Sequence, residues 1–168
     1  MMATVLLEGN EVHTNGELPA VGSVAPDFSL TGGDLTDTML SDFRGTRVLL
    51  NIVHSLDTST CAISTRKFND YIAGEDVAIL IISADLPFAQ ARLCDTEELT
   101  NVIHLSMMRS KKFAKDYGVL FEDGPLKGIT ARSIVVIDED GKVVYTEQVQ
   151  EVTGEPDYDK ALAALREE

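Results

Sequence analysis

The run Arg47-Val-Leu-Leu-Asn-Ile-Val53 and, just beyond it, Asp57-Thr-Ser-Thr-Cys-Ala-Ile-Ser-Thr-Arg-Lys-Phe68 decide how this chain folds. The first stretch reads as a strongly buried strand. In the second, Ile63, Phe68, Tyr71 and Ile72 recur at roughly helical spacing and predict a helix from Ala62 to Tyr71 packed on that strand. Cys61 therefore lies where a buried strand gives way to a helix start. A thiol there is held by a rigid scaffold and faces unpaired backbone N–H groups that favour its thiolate. Only one other cysteine, Cys94, occurs in the chain, and redox or nucleophilic chemistry is the first hypothesis.

Working outward, Val77-Ala-Ile-Leu-Ile-Ile-Ser83 is almost wholly apolar, as a central strand covered on both faces should be. Pro87 to Leu93 opens with a helix-compatible proline and predicts a short helix ending near Cys94. Asn101 to Leu105 reads as a strand, Ser110 to Tyr117 as a helix closed by Gly118, and Val119 to Ala131 as a loop. Arg132 to Asp138 and Lys142 to Glu147 read as two strands joined by Glu139-Asp-Gly141, with a final helix from Pro156 to Leu165. Upstream, Thr4 to Glu8 and Glu11 to Thr14 flank Gly9-Asn10 as a small N-terminal hairpin within residues 1–17. Short extended pieces lie around Phe28-Ser-Leu30. The order predicts an α/β fold with a mixed central sheet flanked by helices.

The chain has 168 residues, of which 44% are apolar, enough for one ordinary core and short for two, so residues 1–168 are read as a single domain. Its 14 Lys plus Arg against 28 Asp plus Glu give a net charge of -14, which repels phosphate backbones and anionic lipid. No nucleic-acid or membrane partner is expected. The N-terminus has no basic segment ahead of a long apolar run, and two cysteines do not make a disulfide framework, so a reducing cytoplasm is expected.

Thr58 stands three residues before Cys61, within reach of the sulfur or of a bound oxygen substrate in a tight first turn. Ser55, Asp57, Ser59, Thr60 and Ser64 make the surroundings of Cys61 too polar for a sealed core. Arg132 opens the apolar run Ser133 to Ile137, where a lone arginine must find an anion or cap the strand at the surface. If it reaches Cys61, its charge lowers the thiol pKa and its fork can hold a peroxide oxygen.

His54 to Asn69 resembles the active-site segment of the bacterial thiol peroxidases, the atypical two-cysteine branch of the peroxiredoxins. Ser83-Ala-Asp-Leu-Pro-Phe-Ala-Gln-Ala-Arg-Leu-Cys94 is similar to that branch's segment around the resolving cysteine, and Asp123-Gly-Pro-Leu-Lys-Gly128, Ala131-Arg132 and Glu155-Pro-Asp-Tyr158 continue the match. The resemblance implies a thioredoxin-like fold with an N-terminal hairpin, usually assembled as a homodimer. It implies that Cys61 attacks the O–O bond of hydrogen peroxide or an organic hydroperoxide, that Thr58 and Arg132 activate it and orient the peroxide, and that Cys94 resolves the sulfenic acid. The resulting intramolecular disulfide is reopened by thioredoxin, with no cofactor or metal. Thirty-three residues separate the two thiols, so forming the bond is expected to need local unfolding.

One position departs from the family pattern: His54 stands where these enzymes carry proline, seven residues before the peroxidatic cysteine. It either lines the pocket and stabilises the thiolate when protonated, or is a tolerated polar substitution at a strand end. Leu86, Phe88 and Ile129, with Met39 and Leu40, are candidates to line a groove for alkyl or lipid peroxides. The loops Thr58 to Cys61 and Gly124 to Gly128, with Met107 to Arg109, are candidate dimer contacts by resemblance. Three rivals are weighed. A Cys–His acyl-transfer enzyme has no use for Cys94. A zinc site lacks closely spaced ligands among Cys61, Cys94, His13, His54 and His104. A non-enzymatic thioredoxin-like redox-sensing or binding module would leave Cys61 with an ordinary pKa.

Overall fold

The computed structural model describes residues 2–166. Its centre is β5 (Val48–Ile52), buried at all five positions, running parallel to β6 (Ala78–Ser83), which runs parallel to β7 (Ile103–Ser106). On the other side of β5, β8 (Ser133–Ile137) and β9 (Val143–Gln148) add antiparallel, and β3 (Ser29–Thr31) and β4 (Asp37–Met39) extend the far edge. The seven strands lie in the order β4-β3-β7-β6-β5-β8-β9, the mixed sheet expected.

Strand alternation divides the core in two. Val48, Leu50 and Ile52 point to one face with Leu80, Ile82, Val135 and Ile137, covered by Phe28 and by α3 (Lys112–Asp116) through Phe113 and Ala114. Leu49 and Val53 point to the other with Ile79, Ile81, Ile134 and Val136. That second face is covered by α1 (Ser59–Tyr71), by the end of α2 (Pro87–Thr96) and by α4 (Tyr158–Leu165), and it is the face that holds both cysteines.

Several boundaries move from those read in the sequence. The hairpin of β1 (Thr4–Leu7) and β2 (Asn10–His13) turns at Glu8-Gly9, not Gly9-Asn10; both turn residues have positive φ, at 51° and 84°, as a two-residue hairpin loop requires. The α1 helix starts three residues earlier than predicted, which puts Cys61 inside its first turn. Ile63 and Tyr71 face outward, and the buried side is Cys61, Ser64, Thr65, Phe68 and Asn69, so polar groups supply three of the five positions that periodicity assigned to apolar ones. The α3 helix is a turn shorter than Ser110 to Tyr117, and the expected loop 119–131 carries bridges Thr14↔Phe121 and Leu120↔Thr130. Strand β4 and the 3-10 turn Leu40–Phe43 were not anticipated: three residues of Asp-Thr-Met offer no pattern.

The hairpin is bound to the rest of the fold. Val5 and Val12 pack on Phe121, Ala131 and Val152, and Val152 N–H donates to the Leu6 carbonyl at 2.8 Å. Among the described residues no helix is long and apolar enough to cross a membrane.

Candidate active site

Thr58 is the N-cap of α1, with extended backbone, and the first N–H to bond back within the helix is that of Ala62, to Thr58 C=O at 2.9 Å. The N–H groups of Ser59, Thr60 and Cys61 precede the ladder, and their partial positive charge favours an anion in this turn. Cys61 is fully buried. Of the polar neighbours that argued against a sealed site, Asp57 and Ser59 are exposed while Ser64 and Ser55 are satisfied internally: Ser64 and the adjacent Thr65 donate to Cys61 C=O at 3.0 and 2.8 Å, and Ser55 donates to Asp85 at 2.8 Å.

Two basic groups act on the sulfur. His54 Nδ1 and Nε2 lie 3.8 and 4.0 Å from Cys61 Sγ. Arg132, at the entrance to β8, is fully buried; its Nε donates to Val152 C=O at 3.3 Å, while Nη1 and Nη2 have no acceptor among the described residues. Burial, the largest influence, pushes the Cys61 thiol up, but hydrogen bonding from His54, the Arg132 charge, the His54 charge and a Thr58 hydrogen bond together outweigh it and bring the pKa down to about 7. Thr58 Oγ1 donates to Ser55 C=O at 3.1 Å, and its one proton must rotate away from Ser55 to serve the thiolate. Arg132 is thus neither surface cap nor strand-edge ornament. Its two terminal nitrogens have no acceptor among the described residues, an expensive state for a buried guanidinium that an oxygen ligand would relieve.

Cys94 is also buried and unbonded, in the same apolar cluster as Cys61. Burial, with Asp95 adding to it, pushes its pKa up to about 11. A cavity of about 230 Å³ separates the two helices, lined by Leu56, Thr58, Ala62, Leu93, Cys94 and Leu99 among others. The end of α2 is a Schellman cap: Leu99 N–H bonds Cys94 C=O at 2.8 Å and Glu98 N–H bonds Asp95 C=O at 3.2 Å, with Glu98 at φ 56°.

The sequence reading did not find Asp85. Its carboxylate accepts from Ser55 Oγ, from Leu56 N–H at 2.7 Å and from Ser83 Oγ at 2.8 Å, and Ser83 in turn accepts from Gln90 of α2 at 2.9 Å. This chain of bonds fixes the loop ahead of Cys61 to the helix that carries Cys94. An Asp two residues past a buried strand and two before a helix-starting proline was the available signal.

The proposed apolar groove does not assemble. Leu86 and Phe88 are 52% and 65% exposed, Ile129 packs by the N-terminal hairpin, Leu40 is in the core of the opposite sheet face and Met39 is on the edge strand β4. None of them lines the cavity between α1 and α2. Met107 is core, leaving Met108 exposed. The zinc ligand set is scattered as well: His13 pairs with Asp123 at 2.7 Å and His104 with Gln90 at 3.1 Å, far along the chain from His54.

The family described as Redoxin matches residues 20–162 of this chain. Thiol peroxidases of Mycobacterium tuberculosis and Corynebacterium glutamicum are 52% and 48% identical to it, each over 98% of this chain and 99% of the relative. Among solved structures, a peroxiredoxin-like protein from Aquifex aeolicus superposes with a TM-score of 0.93 at 40% identity, covering 99% of this chain and 98% of that one. A thiol peroxidase from Chromobacterium violaceum superposes with a TM-score of 0.89 at 26% identity, covering 98% and 96%.

Proposed function

We propose, since this chain belongs to the Redoxin family and is a thiol-dependent peroxidase, that Cys61 is the thiol that attacks the peroxide and Cys94 the thiol that resolves it. The observation that carries this reading is a buried thiol with its pKa held to about 7 beside a buried guanidinium whose two terminal nitrogens have no acceptor among the described residues. The thiolate attacks the terminal peroxide oxygen, an S–O bond forms as O–O breaks, and the departing oxygen leaves as water or alcohol. Arg132 Nη1 and Nη2 hold the peroxide oxygens, and Thr58, rotated from Ser55, donates to the same centre. Cys94 then displaces water from Cys61–SOH to form the disulfide, and a thioredoxin-type dithiol reduces it.

Resolution requires the Schellman end of α2 to open, since Cys94 is buried and strongly protonated where it stands. The cavity between the helices, which Cys94 lines together with Thr58 and Ala62 of α1, gives its side chain a path. Exposed Leu86, Phe88 and Met108 support a homodimer contact; Met108 is tied to the Asp85 turn through Ser106, which donates to Asp85 C=O and accepts from Met108 N–H. Sedimentation equilibrium tests that assembly. A cytoplasmic location agrees with a cycle that depends on a reducing dithiol supply. The non-enzymatic module loses its support, because Cys61 does not keep an ordinary pKa and relatives at about half identity are thiol peroxidases.

The experiment is peroxide-dependent NADPH oxidation with thioredoxin and its reductase. The wild type should turn over, Cys61→Ser should not, and Cys94→Ser should lose recycling. Equal background in all three overturns the assignment.

A further inference from the structure

We propose that His54 is a catalytic residue that carries the Cys61 proton through the reaction, taking it from the thiol and delivering it to the departing oxygen. The inference rests on Cys61 being the attacking thiol and goes beyond it. Three observations support it. The His54 ring lies against the sulfur, with Nδ1 at 3.8 Å and Nε2 at 4.0 Å from Cys61 Sγ, so both nitrogens are within reach of its proton. Neither nitrogen has another hydrogen-bond partner among the described residues, so the ring is held to no competing acceptor or donor. His54 is half-buried while Cys61 is sealed, so the imidazole is the route by which a proton reaches the reacting sulfur.

The other charged or titratable groups around the pair do not compete for this task. Arg132 from β8 is a fixed cation. Glu155, ahead of α4, is occupied by Tyr158 at 2.7 Å and by Lys67 at 3.3 Å. Asp85, behind the loop, accepts from Ser55, Leu56 and Ser83, and Cys94 from α2 is a protonated thiol with Asp95 beside it.

The step balances as follows. Cys61–SH gives its proton to a His54 nitrogen, leaving thiolate beside imidazolium. The thiolate attacks the terminal oxygen of ROOH; the S–O bond forms, the O–O bond breaks, and the electron pair leaves with RO⁻. Imidazolium gives its proton to RO⁻, so Cys61–SOH, ROH and neutral His54 remain. Sulfur is oxidised by two electrons and the peroxide reduced by two. A proline at this position can do neither transfer, so an alkoxide leaving group must then be protonated from solvent.

The test compares two oxidants on the intact protein: tert-butyl hydroperoxide, whose alkoxide leaves poorly without a proton, and peroxyacetic acid, whose acetate leaves without one. Rates of Cys61 oxidation are measured by rapid quench and mass spectrometry for the wild type, His54→Gln and His54→Pro. The thiolate fraction cancels in the ratio of the two oxidants for each protein. The expected loss in both variants is about 100-fold on the hydroperoxide, the lower end of what a positioned general acid contributes, and no more than a few-fold on the peracid. Equal losses on the two oxidants, or none on either, overturn the proposal while leaving Cys61 as the nucleophile. A Cys61→Ser protein that is oxidised as fast as wild type overturns the parent reading instead. His54→Pro restores the residue of the resembling enzymes and keeps the test open if the glutamine variant folds poorly.

Discussion

Cys61 and Cys94 are the same side chain at opposite ends of two helices facing one cavity. The first sits in the opening turn of α1, where burial pushes its thiol up but His54, the Arg132 charge and Thr58 outweigh it and bring its pKa down to about 7. The second sits in the closing turn of α2, where burial, with the Asp95 charge adding to it, pushes its pKa up to about 11. Both are buried, so burial alone does not decide between them: desolvation raises both, and only Cys61 has partners that reverse it. On the proposed cycle, those partners make one thiol the nucleophile and leave the other a reserve that needs exposure before it can act.

The largest effect comes from removing the cation. Arg132→Met should cut the rate of Cys61 oxidation by about 10² to 10³, comparable to losing a preorganised oxyanion donor, and raise the Cys61 pKa. Because Nη1 and Nη2 have no acceptors among the described residues, the same change should leave Tm unchanged or higher, since removing a buried unsatisfied charge relieves its desolvation. Stopped-flow peroxide kinetics alongside a thermal melt read both.

Titration breaks the symmetry next. Alkylation of Cys61 in Cys94→Ser should reach half its maximal rate near pH 7 and fall about tenfold per unit below it, while Cys94 in Cys61→Ser should stay unreactive until well above pH 9. The stability contributions have opposite signs. Cys61 is depressed on folding from about 9, so its contribution is present above that value and lost as pH falls through about 7. Cys94 is raised, so its contribution is full below about 9 and lost as pH rises through about 11. Chemical denaturation of each single-cysteine protein across this range resolves the two slopes.

The smallest expected effect sharpens the reserve role of Cys94. Glu98 holds a left-handed conformation in the Schellman cap, at a cost of about 1 kcal/mol for a residue with a Cβ. Glu98→Gly should stabilise the end of α2 and slow disulfide formation several-fold, with no change in the rate of Cys61 oxidation. Quenched-flow separation of the two half-reactions is the check; a change in the first half-reaction would show that the cap is not specific to resolution.

The strands of the central sheet were legible because Val48 to Ile52, Ala78 to Ser83 and Ser133 to Ile137 are apolar enough to be buried on both sides. The position of Cys61 followed from the strand-to-helix transition. What was not legible is set by contacts distant in sequence. The buried side of α1 is mostly polar because Ser64 and Thr65 bond the Cys61 carbonyl, so apolar spacing put Ile63 and Tyr71 on the wrong side. Asp85 works through three partners brought together only by folding. Arg132 is positioned by Val152, whose N–H is held by Leu6 of the N-terminal hairpin, so an apparent appendage helps to seat the cation. Leu86, Phe88 and Ile129 are apolar and near the motifs in sequence, yet face different surroundings.

The most direct test of the asymmetry between the thiols is one equivalent of peroxide followed by dimedone trapping and peptide mass spectrometry on the wild type, Cys61→Ser and Cys94→Ser. The account predicts a Cys61–Cys94 disulfide in the wild type, a trapped sulfenic acid on Cys61 in Cys94→Ser, and no rapid oxidation of Cys94 in Cys61→Ser. A sulfenic acid trapped on Cys94, formed as fast as the wild-type disulfide, would contradict it.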